Sequence, residues 1–273
     1  VSLEAPSIRA RKRRLGSDPL VMVTAYDEPG ARYVDAAGVD IILVGDSVAN
    51  VVLGHSDTLH VTIEQMCYHV KAVAAAKPNA HIVADLPWLS YHVGIADSVR
   101  NGAALIRAGA HSVKLEGGRV RRDVVRALLD AEIPVMGHLG LTPQSVLTFG
   151  GFKVQAKTRE ASEWLTKDAM LLQDEGVYAV VIEGVPSIVG TRVTEALDIP
   201  TIGIGAGPDT DGQVLVFHDI LGMTNRPPAK FVRQYAQLGA EITEAIGRFA
   251  ADVRSGDFPS ESEAYPNPED LLN

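Results

Sequence analysis

Short apolar runs rich in β-branched residues alternate along this chain with longer stretches whose apolar residues recur at helical spacing. The short runs, near 21–26, 40–46, 81–86, 112–117, 134–139, 178–184, 200–205 and 214–218, are predicted as strands. Helical patterns fill most intervals, at 28–37, 62–76, 95–108, 119–130, 159–175 and 187–197, and a long amphipathic segment, 229–253, follows the last strand. Such alternation implies parallel strands joined by crossover helices. A weak internal repeat narrows the choice. DAAGVDIILVGD, IRAGAHSVKLEG and LQDEGVYAVVIEG each read as helix end, glycine, strand, acid, with Gly38, Gly109 and Gly176 placed for a left-handed helix C-cap. Repetition of one βα unit predicts an α/β fold of the (β/α)8 TIM-barrel type, a single domain over 1–273 with extra N-terminal and C-terminal helices. Its barrel core is expected over 20–222, its C-terminal helix over 229–253 and an extended tail over 255–273. An open doubly wound sheet is disfavoured, because VTAYDEPG stands after the first strand in place of a dinucleotide-binding glycine motif. The later GIGAG at 203–207 either serves an anion or lets backbone pack closely.

The same apolar runs end in residues that a buried strand has no structural use for. They are IILVGDS (Asp46), HIVADLP (Asp85), SVKLEGG (Lys114, Glu116), PVMGHLG (His138) and AVVIEGV (Glu183). A desolvated charge costs several kcal/mol or more unless it is paired or metal-bound. Active sites of (β/α)8 barrels lie at the C-terminal strand ends, where these residues fall. Period-two alternation places Lys114 and Glu116 on one face, opposite Val113 and Leu115, and so directs them into the barrel. The same rule groups Ile42 and Val44 with Asp46, and Ala179 and Val181 with Glu183. A lysine in that interior either closes a simple ion pair or meets several acids that also hold a cation. Asp46, Asp85 and Glu116 carry more negative charge than Lys114 balances. A hard divalent ion on oxygen ligands, Mg²⁺ with Mn²⁺ as a substitute, resolves the excess. Glu183, on an otherwise apolar strand near other carboxylates, is expected to have a raised pKa suited to removing a proton from carbon beside a carbonyl. His138 either bonds a substrate oxygen or is a satisfied structural histidine. Ser47 offers a hydroxyl or caps the following turn. Asp27 reads first as a helix cap.

Composition adds mainly exclusions. The 46% hydrophobic and 22% charged content is ordinary for a globular protein. A net charge of −9 argues against a nucleic-acid or anionic-membrane partner. The one basic run, Arg11 to Arg14, is read as the solvated face of an N-terminal helix. The single cysteine, Cys67, in a helical pattern, excludes an intrachain disulfide and reads as a buried, inert thiol. No stretch approaches the length of an apolar membrane span, and no apolar signal core follows the N-terminal basic residues, so cytoplasm is the expected compartment. The remaining histidines are dispersed without ligand spacing.

The segments VMVTAYD, VGDSVANVVLGHSDT, ADLPWLSY, VKLEGG, PVMGHLGLTPQSVLTFGGFKVQ, AVVIEGVP and IPTIGIGAGPDTDGQVLV resemble, in order over about 20–222, the ketopantoate hydroxymethyltransferase family. The resemblance implies a Mg²⁺-dependent (β/α)8 barrel of pantothenate, hence coenzyme A, biosynthesis. It implies transfer of a hydroxymethyl unit from 5,10-methylenetetrahydrofolate to 3-methyl-2-oxobutanoate, giving 2-dehydropantoate. By its motifs Asp46, Asp85 and Glu116 match the metal acids and Glu183 the base. Ser47 and Lys114 match groups around the oxo acid, and Asp46, Asp85 and His138 are counted with them as substrate-facing. It also implies a large homo-oligomer, often a decamer. Two departures stand out: Leu147 where a polar residue is expected, and a tail, SEAYP, without a histidine. Two rival readings remain. One is a Mg²⁺ carbon–carbon lyase or mutase of the phosphoenolpyruvate mutase and isocitrate lyase type, against which stands the lack of a K-K-C-G-H stretch. The other is a non-catalytic oligomeric scaffold, which would have no use for Lys114 and Glu183 in an apolar interior.

Overall fold

The computed structural model describes residues 3–13, 16–224 and 226–266; Arg14 and the expected tail beyond Pro266 lie outside them. Eight parallel strands close into a barrel in chain order: β1 (Leu20–Thr24), β2 (Ile41–Val44), β3 (His81–Asp85), β4 (Ser112–Glu116), β5 (Val135–Gly140), β6 (Ala179–Glu183), β7 (Thr201–Ile204) and β8 (Gly212–Leu215). β8 pairs back onto β1 with Leu20 opposite Gly212, so the sheet has no free edge. The expected (β/α)8 barrel is the observed fold.

The helices are α1 (Ala5–Arg9), α2 (Glu28–Ala36), α3 (Val48–Val51), α4 (Ile63–Ala75), α5 (Ile95–Ala108), α6 (Arg122–Asp130), α7 (Val146–Phe149), α8 (Arg159–Glu175), α9 (Ser187–Ala196), α10 (Phe217–Ile220) and α11 (Leu238–Ser255). Local chemistry sets many of their ends. Asp27 accepts the Gly30 N–H and starts α2 as the cap expected of it. A reciprocal Thr62–Gln65 capping box starts α4. Gly109 ends α5 at φ 116°, where an added Cβ would stand 2.5 Å from that of Ala74.

Alternation along the strands builds the interior. Leu20, Met22, Ile41, Leu43, Val83, Met136, Ala179, Val181, Ile202 and Val214 form one buried cluster, joined from the N-terminal segment by Ala5 and Ile8. Burying each of the larger ones is worth about 1.5–3 kcal/mol. On β2 the cluster takes Ile41 and Leu43, so Ile42 and Val44 turn to the opposite face, against the expected grouping with Asp46. The strand ends at Val44, and the turn through Gly45 resets the alternation before Asp46.

By packing, the chain divides into two compact units, Val1–Phe217 with Ala229–Val232, and His218–Pro228 with Arg233–Asn273. The first contains the closed barrel. The second contains α11, which begins at Leu238 and not at 229. Backbone donors of Tyr235 and Leu238 bond the carbonyls of Ile220 and Leu221, which takes them out of any helical ladder. The basic run also departs from expectation. Lys12 lies beyond α1, only 1% exposed, with Nζ 2.7 Å from Asp211 Oδ2 and 2.8 Å from Thr194 O. A buried carboxylate and carbonyl offer it a closed site, so it is no part of a solvated helix face.

Candidate active site

Strand register assembles the site. Asp85 sits opposite Lys114, Glu116 opposite His138, and Gly140 opposite Glu183 in the parallel ladders. Gly140, at φ 93°, is needed there, since an added Cβ would stand 2.2 Å from the Glu183 carbonyl oxygen. A cavity of about 130 Å³ opens at these strand ends, lined by Asp46, Ser47, Asp85, Lys114, Glu116, His138 and Glu183 beside apolar residues that include Phe152. All seven site residues expected from the sequence therefore meet in one place. Ser47 does not cap α3; its Oγ lies 2.8 Å from the Tyr26 hydroxyl instead.

The polar contacts run in sequence around the cavity. The Asp46 N–H donates to Asp85 Oδ2 at 2.9 Å. Asp85 Oδ1 lies 2.8 Å from Lys114 Nζ, a charge contact in which the angle forms no hydrogen bond and leaves that buried oxygen without one. Lys114 Nζ is also 3.1 Å from His138 Nδ1, which lies 3.5 Å from Glu116 Oε1. On the far side of the ring, His138 Nε2 approaches Glu183 Oε2 at 3.0 Å, again off the hydrogen-bond axis. The neighbour set against Glu183 is thus an imidazole, not the further carboxylate expected.

Charge is crowded unevenly. Burial, followed by the charges of Asp85 and Glu116, drives the Asp46 carboxyl well above the usual carboxylate range; Lys114 and the Gln144 amide pull it down less. Burial disfavours the Lys114 ammonium, but Asp85, Glu116 and Asp46 outweigh it and raise its pKa. Burial and Lys114 likewise oppose protonation of His138, yet Glu116 and Glu183 push it up to about 9.

Among the described residues no three His, Cys, Asp or Glu side chains form a ready metal cage. The donor set instead fits an ion that takes one or two carboxylates and completes its coordination with substrate and water oxygens, the habit of Mg²⁺. Asp46 and Asp85 suit that role: burial and two neighbouring acids hold one carboxyl back from ionising, and the other meets the Lys114 ammonium at 2.8 Å through a buried oxygen. Glu116, like Asp46, gives one oxygen to Gln144, its Oε2 accepting the backbone N–H at 3.0 Å, and its Oε1 stands 3.5 Å from His138 Nδ1.

Three buried neighbours were given no role by the sequence, although Tyr26 and Tyr91 lie within the quoted segments VMVTAYD and ADLPWLSY. Tyr26 holds Ser47, Gln144 bonds Tyr91 and the Asp46 carboxylate, and Tyr91 accepts the Glu116 backbone N–H. Gln144 lies within the quoted segment LTPQSV, but a neutral amide in a loop carries no cost that would betray it. The GIGAG glycines take the close-packing role: side chains at Gly203 and Gly207 would collide with Thr210 and Ser187.

A closed parallel barrel with its titratable residues gathered at the C-terminal strand ends defines an enzyme of the (β/α)8 class. Within that class the chain belongs to the ketopantoate hydroxymethyltransferase family, whose model matches residues 3–261. It is 53% identical over 254 residues to the 3-methyl-2-oxobutanoate hydroxymethyltransferase of Koribacter versatilis (strain Ellin345), covering 93% of this chain and 86% of that one. It is 51% identical over 267 residues to the protein of that name from Syntrophomonas wolfei subsp. wolfei, covering 97% and 96%. Among solved structures it resembles a 2,3-dimethylmalate lyase of the PEP mutase/isocitrate lyase superfamily, with TM-score 0.62, 16% identity, and 97% and 92% of the two chains covered. The phosphoenolpyruvate phosphomutase of Streptomyces platensis subsp. rosaceus is similar at TM-score 0.61, 16% identity and the same coverage. At that identity the likeness is one of fold, shared with the rival lyase reading, whereas the close relatives are transferases.

Proposed function

We propose that this enzyme transfers a hydroxymethyl group from 5,10-methylenetetrahydrofolate to 3-methyl-2-oxobutanoate, giving 2-dehydropantoate through an enolate. Membership of the family, over residues 3–261, is the observation that carries the reading. Asp46 and Asp85 would hold Mg²⁺ (or Mn²⁺), with Glu116 beside them. The metal's chemistry is that of a Lewis acid toward the ketone and carboxylate oxygens of the oxo acid. Glu183 removes the proton at C3, and His138, 3.0 Å from Glu183 Oε2, orients that carboxylate. Lys114 offsets charge developing on the enolate oxygen. Ser47, held by Tyr26, offers a hydroxyl to the substrate. Water breaks the two C–N bonds of the folate methylene, so that the folate releases or presents the one-carbon unit at the formaldehyde level and tetrahydrofolate leaves. C3 bonds that carbon, and the carbon's oxygen takes up a proton to complete the hydroxymethyl group. A cavity of about 130 Å³ suits a small oxo acid.

The cellular reading follows the same family. No described helix is long and apolar enough to cross a membrane, which accords with action in the cytoplasm. Self-association into a homo-oligomer, a decamer by family resemblance, is supported by the half-exposed apolar stripe of Ile242, Ile246, Phe249 and Val253 on α11.

Proton exchange tests the chemistry without the folate. In heavy water with 3-methyl-2-oxobutanoate and Mg²⁺, deuterium should enter C3, as followed by NMR. The exchange should stop on chelation or in Glu183→Gln. Exchange that survives Glu183→Gln removes Glu183 as the base. No exchange at all, even with a folate analogue present, favours the lyase or scaffold.

A further inference from the structure

We propose that Gln144, braced by Tyr91, is a positioning residue that aims the Asp46 and Glu116 carboxylates and so sets the affinity of the site for its divalent cation. The inference rests on the metal-dependent reading above and adds a residue to it. Gln144 lies in the loop after β5, yet it bonds groups at the ends of three other strands. Its Nε2 donates to Asp46 Oδ2 at 2.9 Å and to Leu86 O at 3.0 Å, and its backbone N–H donates to Glu116 Oε2 at 3.0 Å. Its Oε1 accepts from the Tyr91 hydroxyl at 2.6 Å. That hydroxyl also accepts the Glu116 backbone N–H at 3.2 Å. A closed circuit results, from Glu116 N–H to Tyr91, to the Gln144 amide, and from the Gln144 backbone back to the Glu116 carboxylate.

This circuit admits one orientation of the amide. Turned over, Oε1 would face a carboxylate and a carbonyl, while the NH₂ would face a hydroxyl whose single proton has no comparable acceptor; the alternative, Glu116 O, is 3.5 Å away. Both side chains are buried, so water cannot replace the lost bonds. An apolar residue would tie the loops together as well. What it could not do is occupy Oδ2 of Asp46, fixing the direction in which that carboxylate presents its other oxygen; the bond to Glu116 Oε2 comes from the backbone N–H and is kept by any residue but proline. The Asp46 N–H passes that constraint to Asp85 Oδ2 at 2.9 Å.

The test is Mn²⁺ affinity, read by the loss of the free-ion EPR signal on titration of the 273-residue chain. Gln144→Met keeps the length and approximate volume and removes every side-chain bond; it should weaken Mn²⁺ binding roughly 10–100-fold, the usual loss for a residue that orients a metal ligand. Tyr91→Phe keeps the ring and should weaken it less. The double variant should lose clearly less than the sum of the two single losses, because Tyr91 acts in part through Gln144 and otherwise only on the Glu116 backbone. At saturating Mn²⁺ the C3 exchange rate of Gln144→Met should return to within a few-fold of the wild type, a separation of affinity from rate that general loosening would not give. Unchanged near-UV circular dichroism verifies each fold, and if Gln144→Met does not fold, Tyr91→Phe decides alone. Wild-type affinity in both single variants, or additive losses in the double, overturns the proposal. A wild-type chain that binds no Mn²⁺ overturns the metal reading and this inference with it.

Discussion

The barrel buries charge at both of its ends, and the two ends treat it differently. At the N-terminal end Lys12 and Asp211 are each 1% exposed and form an ion pair at 2.7 Å. Lys12 also donates to Thr194 O, while Asp211 accepts from the backbone N–H groups of Arg13 and Thr201 and from the Thr201 hydroxyl. Nearby, His81 donates from Nδ1 to Leu3 O at 2.9 Å and accepts the Ser112 hydroxyl at 2.8 Å, which in turn accepts from Tyr178 at 2.8 Å. At the C-terminal end Asp46, Asp85 and Glu116 crowd around Lys114, Asp46 resists ionisation, and a buried oxygen of Asp85 has no hydrogen bond. Buried charge that is balanced and satisfied serves the fold; buried charge left in excess marks where a ligand belongs.

If that division is right, variants at the two ends should separate activity from stability. Glu183→Gln should show the largest effect on chemistry, lowering C3 proton exchange by about 10²–10⁴-fold, the contribution of a positioned general base. Its melting temperature should stay near that of the wild type. Asp211→Ala should do the opposite. It breaks the buried ion pair with Lys12, at a cost of about 3–5 kcal/mol in denaturant unfolding, while exchange per folded molecule is unchanged. A Glu183→Gln variant that unfolds as readily as Asp211→Ala would erase the distinction.

Acid should attack the N-terminal end first. Burial, helped by His111 and opposed by the Leu3 carbonyl, pushes the His81 pKa down to about 4 from 6.5. The unfolded chain therefore takes up this proton before the native one does. Stability from the neutral imidazole is complete above pH 6.5 and is lost as pH falls toward 4, on the order of 3 kcal/mol in all. Urea unfolding across that interval should show the slope, and His81→Gln should flatten it. An unchanged slope in His81→Gln would assign the acid sensitivity elsewhere.

The contrast between the ends also explains what the sequence discloses. Strand and helix periods are local, so the barrel was legible from them, and each site acid was legible because an acid closing an apolar strand has a visible cost. Lys12 was not legible: its partner lies 199 positions away, and a lysine among arginines at a helix end looks solvated. Gln144 and Tyr91, 53 positions apart, are neutral and cost nothing until folding buries them together. The alternation rule failed at Asp46 because β2 ends at Val44, before the residue that the rule was asked to place. The start of α11 was misjudged because its flanking donors are claimed by carbonyls of Ile220 and Leu221, which no local pattern announces.

The smallest effect is the one that most directly weighs the excess charge. Asp46→Asn removes one negative charge from beside Asp85 and Glu116 and keeps a carbonyl oxygen for the Gln144 amide. Because the ionised carboxylate is disfavoured in the folded protein, relieving it should stabilise the metal-free chain by about 0.5–2 kcal/mol, at the expense of function. Adding Mg²⁺ should then raise the melting temperature of the wild type through preferential binding to the native state, and leave that of Asp46→Asn where it was. A metal-free Asp46→Asn less stable than the wild type would mean that Lys114 alone already balances the acids. The C-terminal end would then be built on the same principle as the N-terminal one.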